Sequence, residues 1–588
     1  MRATAACLTI LLVFWAPACP LAFGQDADQR LSEFFRQHLE QSFQLRPSEA
    51  TLLGDHRFDD RLDDISPEAR GSWLEHWQQQ LAKLEATFSA AELSRDGRVD
   101  YHIFRDELRR NIWQAENTRP FEQDPRVYGA YISDSVYTLL TQSTLPKEQN
   151  LTNAIARIEQ IPRIVATAAA TLRDPPKTIL ETGILQNRGA IAFYEREIFE
   201  LVGNSPQLPA LRTACQSAVS ALRQHQQFME QQLLPGAGDD WRLGREKFSQ
   251  KLELVLDMGW DAQQVLTAAE QEFQRVQREM YVIARQLWSR YFPEEALPAD
   301  DASGQRETIA RVTQAVSQEH GRPETLIVDA RATVGAIQDF IRHRDILHLP
   351  EVDRCQVIEM PEFRRGNSLA YLESAQPLDP NGVSFYAVSP PPAIWGEDKV
   401  RSFLEEYNRY MLQILTIHEA YPGHYVQLEY SNRHPSLIRK VLQSGVFVEG
   451  WAVYTEQMML DQGYGDGDLP LRLNQLKFYL RAVANAILDH RMHCTQLSDD
   501  EALTFLVNQA YQSEGEARLK IVRAKQSSVQ LSTYFAGRMA HYGLRQEIQR
   551  ELGDRFELGR YHEAVLSHGS VPVKFLPELV RQRLAAPR

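Results

Sequence analysis

Residues 407–424 read YNRYMLQILTIHEAYPGH. Phe403, Tyr407, Met411, Ile414, Leu415 and His418 recur three or four residues apart, so a helix entering from about Lys399 carries them on one buried stripe. His418 then emerges on that stripe near the helix end, followed directly by Glu419. A His-Glu pair with a second histidine four residues on puts two imidazoles on one helix face, where they can hold zinc with the glutamate as general base. Here the second histidine, His424, stands six residues beyond His418. On an ideal helix that rotates it about 240° away, whereas four residues would rotate it about 40°. Pro422 lacks the N–H that the carbonyl of His418 would accept, and its ring clashes there. Gly423 tolerates backbone angles that other residues avoid. A loosened turn at Tyr421–Gly423 therefore swings His424 back beside His418.

A catalytic zinc takes three protein ligands and keeps one position open. Glu449, 25 residues after His424, lies in the apolar helical segment VFVEGWAVYTE, residues 446–456. An unpaired carboxylate buried there would be costly, and a metal would account for it; capping its own helix or pairing with an arginine are the other readings. Glu456, two turns further along, is placed to orient a ligating histidine from behind. The expected site is thus one zinc ion on His418, His424 and Glu449. A second His-Glu, HEAVLSH at 562–568, repeats the spacing without the proline–glycine break, and only 20 residues follow it. It is read as a structural C-terminal helix.

Outward from the motif, helical periodicity dominates: Leu31 to Leu39, Gln79 to Phe88, Ala154 to Leu172, Leu211 to Leu234 and Ala262 to Tyr291. Two stretches alternate as strands instead, Cys355–Met360 and Val383–Val388. They lie just before the motif, where an edge strand could hold an extended peptide or could simply brace helices. The fold expected is mainly α, a large helical two-lobed protein with a small β-sheet beside the active-site helix. Its divisions are a signal peptide at 1–24, an N-terminal helical lobe at 25–300, and a catalytic lobe at 301–588 carrying the sheet and the motif.

The chain has 588 residues, 43% of them hydrophobic and 24% charged, as in globular proteins. A formal net charge of −14 and the lack of a phosphate-tracking basic run argue against a nucleic-acid partner. Arg2, the short apolar run LTILLVFW at 8–15 and Ala22-Phe23-Gly24 read as a secretory signal cleaved after Gly24. Lipidation at Cys19 is the alternative, with Ala16-Pro17-Ala18 a poor lead-in for it. No later segment is apolar for long enough to be a transmembrane helix, so the mature chain is expected to be exported, periplasmic or secreted. Beyond the signal, Cys215, Cys355 and Cys494 form no CxxC pair and are read as small buried residues. The acidic stretch DHRFDDRLDD at 55–64 lacks the glycine and terminal glutamate of a calcium loop and is read as a solvated connection.

H-E-x-x-P-G-H followed by Gln427, and E-G-W-A-x-Y-x-E at 449–456, together resemble the bacterial family called domain of unknown function 885. Ala370-Tyr371 and Gly569-Ser570-Val571-Pro572 are similar to further family patterns, and the likeness runs from about residue 30 to the C-terminus. The resemblance implies a helical, zinc-metallopeptidase-like protein of the glutamate-zincin type, secreted or lipid-anchored. It also implies further site residues. The family's Asp-x-Gly-aliphatic-His pattern falls on Asp489, Met492 and His493, with Arg491 replacing the usual glycine. Its arginine, Gln-x-x-x-Tyr and glycine fall on Arg523, Gln530, Tyr534 and Gly537, with Ser528-Val529 where Pro-Gly is usual.

The function expected is zinc-dependent hydrolysis of amide bonds in peptides, short ones in particular. Glu419 would be the general base. Tyr534 or His493 would donate to the oxyanion, and Arg523 would bind a peptide carboxylate. Two rivals stand beside it: an exported binding or scaffold protein with a degenerate metal site, and a metal-dependent hydrolase of non-peptide amides or esters. The sequence sets no oligomeric state.

Overall fold

The computed structural model describes residues 20–360, 369–392 and 394–586, with side chains from Asp26 onward. Most of the signal segment, Cys19 included, lies outside the described residues. The protein is mainly helical with one small sheet. The stretch from Ala262 to Tyr291 is one helix, started by a reciprocal cap between Asp261 and Gln264. The stretch from 154 to 172 is two helices, Lys147–Ile158 and Ile161–Thr171, because Pro162 has no N–H to continue the first and suits the first turn of the second.

The helix expected from Lys399 into the motif is also two. Glu397–Glu406 ends at Tyr407, and Arg409–Glu419 starts afresh because the side chain of Asn408 accepts the N–H groups of Tyr410 and Met411. The sheet has the order β1-β3-β2, with β1 Cys355–Glu359, β2 Ala370–Glu373 and β3 Ser384–Val388. β1 runs parallel to β3 and β2 antiparallel to it, Leu372 facing Tyr386. β2 was not expected; four residues are too few for an alternation to register.

The larger hydrophobic core runs through both halves of the chain, joining Leu31, Phe104 and Phe273 to Trp451, Leu480 and Phe535. A second core gathers residues 62–222 alone, around Tyr128, Ile158 and Tyr194. The acidic stretch at 55–64 is not solvated throughout. Asp59 and Asp63 are buried, Asp59 accepting the hydroxyl of Thr51 at 2.7 Å and Asp63 the N–H of Ser48 at 2.8 Å. The fully buried Arg157 donates to Thr51 Oγ1 and to the carbonyl of Ser135, and His56 bridges Asp59 to Asp379. This is a polar junction that ties the second core to the loop after β2. Cys215, Cys355 and Cys494 are all free thiols. Among the described residues, no helix is long and apolar enough to cross a membrane.

Candidate metal centre

The motif helix Arg409–Glu419 stops one residue after His418, and a new helix, His424–Asn432, begins at the second histidine. The break is complete where the sequence suggested only a loosened turn. The Tyr421–Pro422 peptide is cis. Gly423 donates its N–H to the carbonyl of Ile417 at 3.0 Å, and the indole of Trp451 donates to the carbonyl of Pro422 at 2.9 Å. A Cβ at Gly423 would lie 1.9 Å from the carbonyl oxygen of His418, so only glycine fits this reversal. The reversal sets the two imidazoles edge to face, with ring centroids 4.7 Å apart.

Glu449 comes from the helix Gly445–Asp461. Its Oε2 lies 3.9 Å from His418 Nε2 and 3.5 Å from His424 Nε2. One donor atom from each of the three residues lies within 4.8 Å of the others. Bonds of 2.0–2.1 Å in a tetrahedron space ligand atoms roughly 3.4 Å apart, so this donor set suits zinc in both chemistry and size. Behind His418, Glu456 Oε1 meets Nδ1 at 2.7 Å. Burial, and then the charge of His424, hold the His418 imidazole well below its usual pKa. A neutral ring that donates Nδ1–H to Glu456 keeps its Nε2 lone pair for a metal. Burial also pulls His424 down, but its contact with Glu449 and the charges of Glu449 and Glu419 raise it overall. Burial raises Glu456 well above the usual carboxylate range.

Glu419 lines the same cavity as His418, and its Oε2 accepts the N–H of Leu372 in β2 at 3.1 Å. That bond ties the carboxylate to the edge strand of the sheet. Burial pushes Glu419 up to about 7, in the range useful to a general base.

Tyr534, Gln530 and Arg523 form one cluster. Arg523 donates to Gln530 at 2.8 Å and to the Tyr534 hydroxyl at 3.1 Å, and Gln530 donates to the same hydroxyl at 3.2 Å. Burial, then the charge of Glu449, pushes Tyr534 up to about 12, so the phenol stays protonated and able to donate. Tyr534 and Arg523 line the cavity that opens onto His418 and Glu419.

Asp489 and His493 are elsewhere. His493 has both nitrogens engaged, Nε2 with the carbonyls of Ala524 and Ser527 and Nδ1 with the N–H of Leu243, and it packs on Phe248 and Trp241. It is a structural histidine that clamps the end of the helix Glu514–Gln526, and it is no oxyanion donor. Asp489 accepts the N–H of Val529 at 3.0 Å and the hydroxyl of Ser532 at 2.8 Å. It holds the start of the helix Gln530–Leu552 that carries Gln530 and Tyr534. Val529 sits there at φ 71°, a left-handed backbone that a β-branched residue rarely adopts. This is where the family pattern has glycine. The decoy His562 is likewise spent, on Tyr454 and the carbonyl of Ile346.

Sequence reading missed Arg481, Lys520 and Phe478, which also line the cavity. Arg481 stacks over Phe478, 4.5 Å from its centroid, three residues along the helix Leu469–Cys494. That i, i+3 pair, and Lys520 three residues before Arg523 on the helix Glu514–Gln526, were the local signals.

The fold and this donor set define a helical protein with a candidate two-histidine, one-glutamate metal centre. The chain belongs to the family of bacterial proteins of unknown function DUF885, whose model matches residues 47–580. It is similar to the solved structure of a lipoprotein candidate of unknown function from Shewanella oneidensis, with 30% identity and a TM-score of 0.79 over 93% of this chain and 99% of that one. A lipoprotein candidate from Colwellia psychrerythraea shares the fold, at 18% identity and a TM-score of 0.77 over 95% of this chain and 99% of that one. No curated protein matches the chain.

Proposed function

We propose that this protein is an exported, zinc-dependent peptidase that hydrolyses amide bonds in short peptides. The observation that carries the reading is the meeting of His418, His424 and Glu449 around one point, with Glu456 behind His418 and Glu419 beside the cavity. His418, His424 and Glu449 hold the ion. When bound, zinc supplies a Lewis acid for the scissile carbonyl and lowers the pKa of a water. Glu419, anchored by Leu372, takes the proton of the attacking water and returns it to the leaving nitrogen. Tyr534, still protonated at neutral pH, donates to the developing oxyanion. Glu456 keeps His418 in the tautomer that ligates.

The departures from the family pattern favour no degenerate site. Arg491 pairs with Glu270 at 2.7 Å on a half-exposed helix face, and Ser528 accepts from Lys251. Neither touches the three donors. Export is supported by the signal-like N-terminus and by the two lipoprotein candidates that share the fold.

The test is metal analysis of the purified chain after exposure to zinc, paired with digestion of a short-peptide library. About one equivalent of zinc and cleavage that a chelator abolishes are expected. Less than a tenth of an equivalent, or cleavage indifferent to chelation, would sink the proposal. Hydrolysis of esters or non-peptide amides with the peptides untouched would move it to the neighbouring class.

A further inference from the structure

The cavity beside the metal centre has a volume of about 220 Å³ and lies between the motif helix, the Gly445–Asp461 and Leu469–Cys494 helices and the start of β2. Its far wall carries three basic side chains, Arg481, Lys520 and Arg523. Two of them share one carboxylate: Glu516 lies 3.0 Å from Arg481 and 3.5 Å from Lys520. Arg523, exposed at the mouth, makes its side-chain hydrogen bonds to neutral groups, Gln530 and Tyr534. The two acids on the opposite wall are already engaged, Glu456 with His418 and Glu419 with Leu372. The wall therefore holds more positive charge than its own carboxylate balances, in a site too closed for water to screen it fully.

Resting on the peptidase reading, we propose that this cavity is a subsite for a carboxylate of the substrate, placed by Lys520 and Arg523 with Arg481 behind them. The carboxylate is either an acidic side chain next to the scissile bond or the peptide's own C-terminus. Burial, and then the nearby charge of Arg481, lower Lys520 to about 7 against the pull of Glu516, and a bound carboxylate would favour its protonated form. The fork of Arg523, already oriented by Gln530 and Tyr534, suits two-pronged contact with a carboxylate. The same fork also donates to the Tyr534 hydroxyl, so a carboxylate held there would couple acid recognition to the position of the oxyanion donor.

The experiment is calorimetric titration of the metal-free full chain with three probes. N-acetylglutamate α-amide carries only a side-chain carboxylate, N-acetylglutamine only an α-carboxylate, and N-acetylglutamine amide neither. One charged probe is expected to bind at least tenfold more tightly than the neutral one, and which one it is identifies the source. Lys520→Met should weaken that probe at least tenfold, Lys520→Arg should restore it, and the neutral probe should not respond. If Lys520→Met fails to fold, judged by circular dichroism, Arg523→Gln at the exposed mouth gives the same comparison. Equal binding of all three probes, or charged-probe binding that ignores the variants, overturns the subsite. The readout needs neither zinc nor turnover, so its failure and the failure of the peptidase reading are separately visible.

Discussion

Gly450 and Gly537 touch backbone to backbone: a Cβ on Gly450 would lie 2.3 Å from the carbonyl carbon of Gly537, and one on Gly537 would lie 2.0 Å from the carbonyl oxygen of Val446. The helices Gly445–Asp461 and Gln530–Leu552 cross at this point. The crossing brings Glu449, one residue before Gly450, near Tyr534, three residues before Gly537. Gly537→Ala should therefore cost stability rather than gain the usual helical benefit of alanine. A loss of about 1–3 kcal/mol is expected from forced overpacking. Thermal unfolding would show it as a clear drop in Tm, and an unchanged or raised Tm would refute the contact.

Glu456 is expected to matter through His418. Glu456→Met keeps much of the side-chain bulk but removes the acceptor at Nδ1. Loss of such a partner typically costs 10–100-fold in metal affinity. Competition with a chromophoric chelator measures this directly. Zinc affinity equal to that of the wild type would mean that Glu456 is a buried acid with no part in ligand orientation.

Glu419 is expected to act on the proton and not on the metal. Glu419→Gln should lower kcat by at least about 100-fold, with zinc stoichiometry unchanged. Reduced zinc content in this variant would reassign Glu419 as a ligand. Removing zinc from the wild type and restoring it should abolish and then recover the same activity.

Asp489 gives a pH signature separate from the metal. Burial, the largest influence, raises its carboxyl to about 6, against the hydrogen bonds from Ser532 and Val529 that lower it. The folded state then holds its proton to a higher pH than the unfolded chain, so this group's contribution to stability falls as pH rises from about 4 to about 6. Above that window it is flat. Chemical denaturation of wild type and Asp489→Asn across pH 4–8 should give a difference that declines through the window and then levels. A difference rising with pH would show a depressed carboxyl instead.

The sequence by itself determined the helical class, two of the three strands among the described residues, and the three candidate donors that the structure brings together, His418, His424 and Glu449. These are legible because periodicity, the Pro-Gly break and a glutamate in an apolar run are local facts, each with a local physical cause. Only the tertiary structure decided the rest. His493 and Tyr534 fall in equally regular helical segments, yet one spends both nitrogens on backbone groups and the other faces the cavity. β2 is too short to announce itself, although its Leu372 N–H anchors Glu419. Asp59 and Asp63 read as surface because charge is costly to bury, and they are buried because Thr51 and Ser48 donate to them, beside Arg157. In each case the side chain's partner lies on another element, and a one-dimensional pattern carries no record of which elements meet.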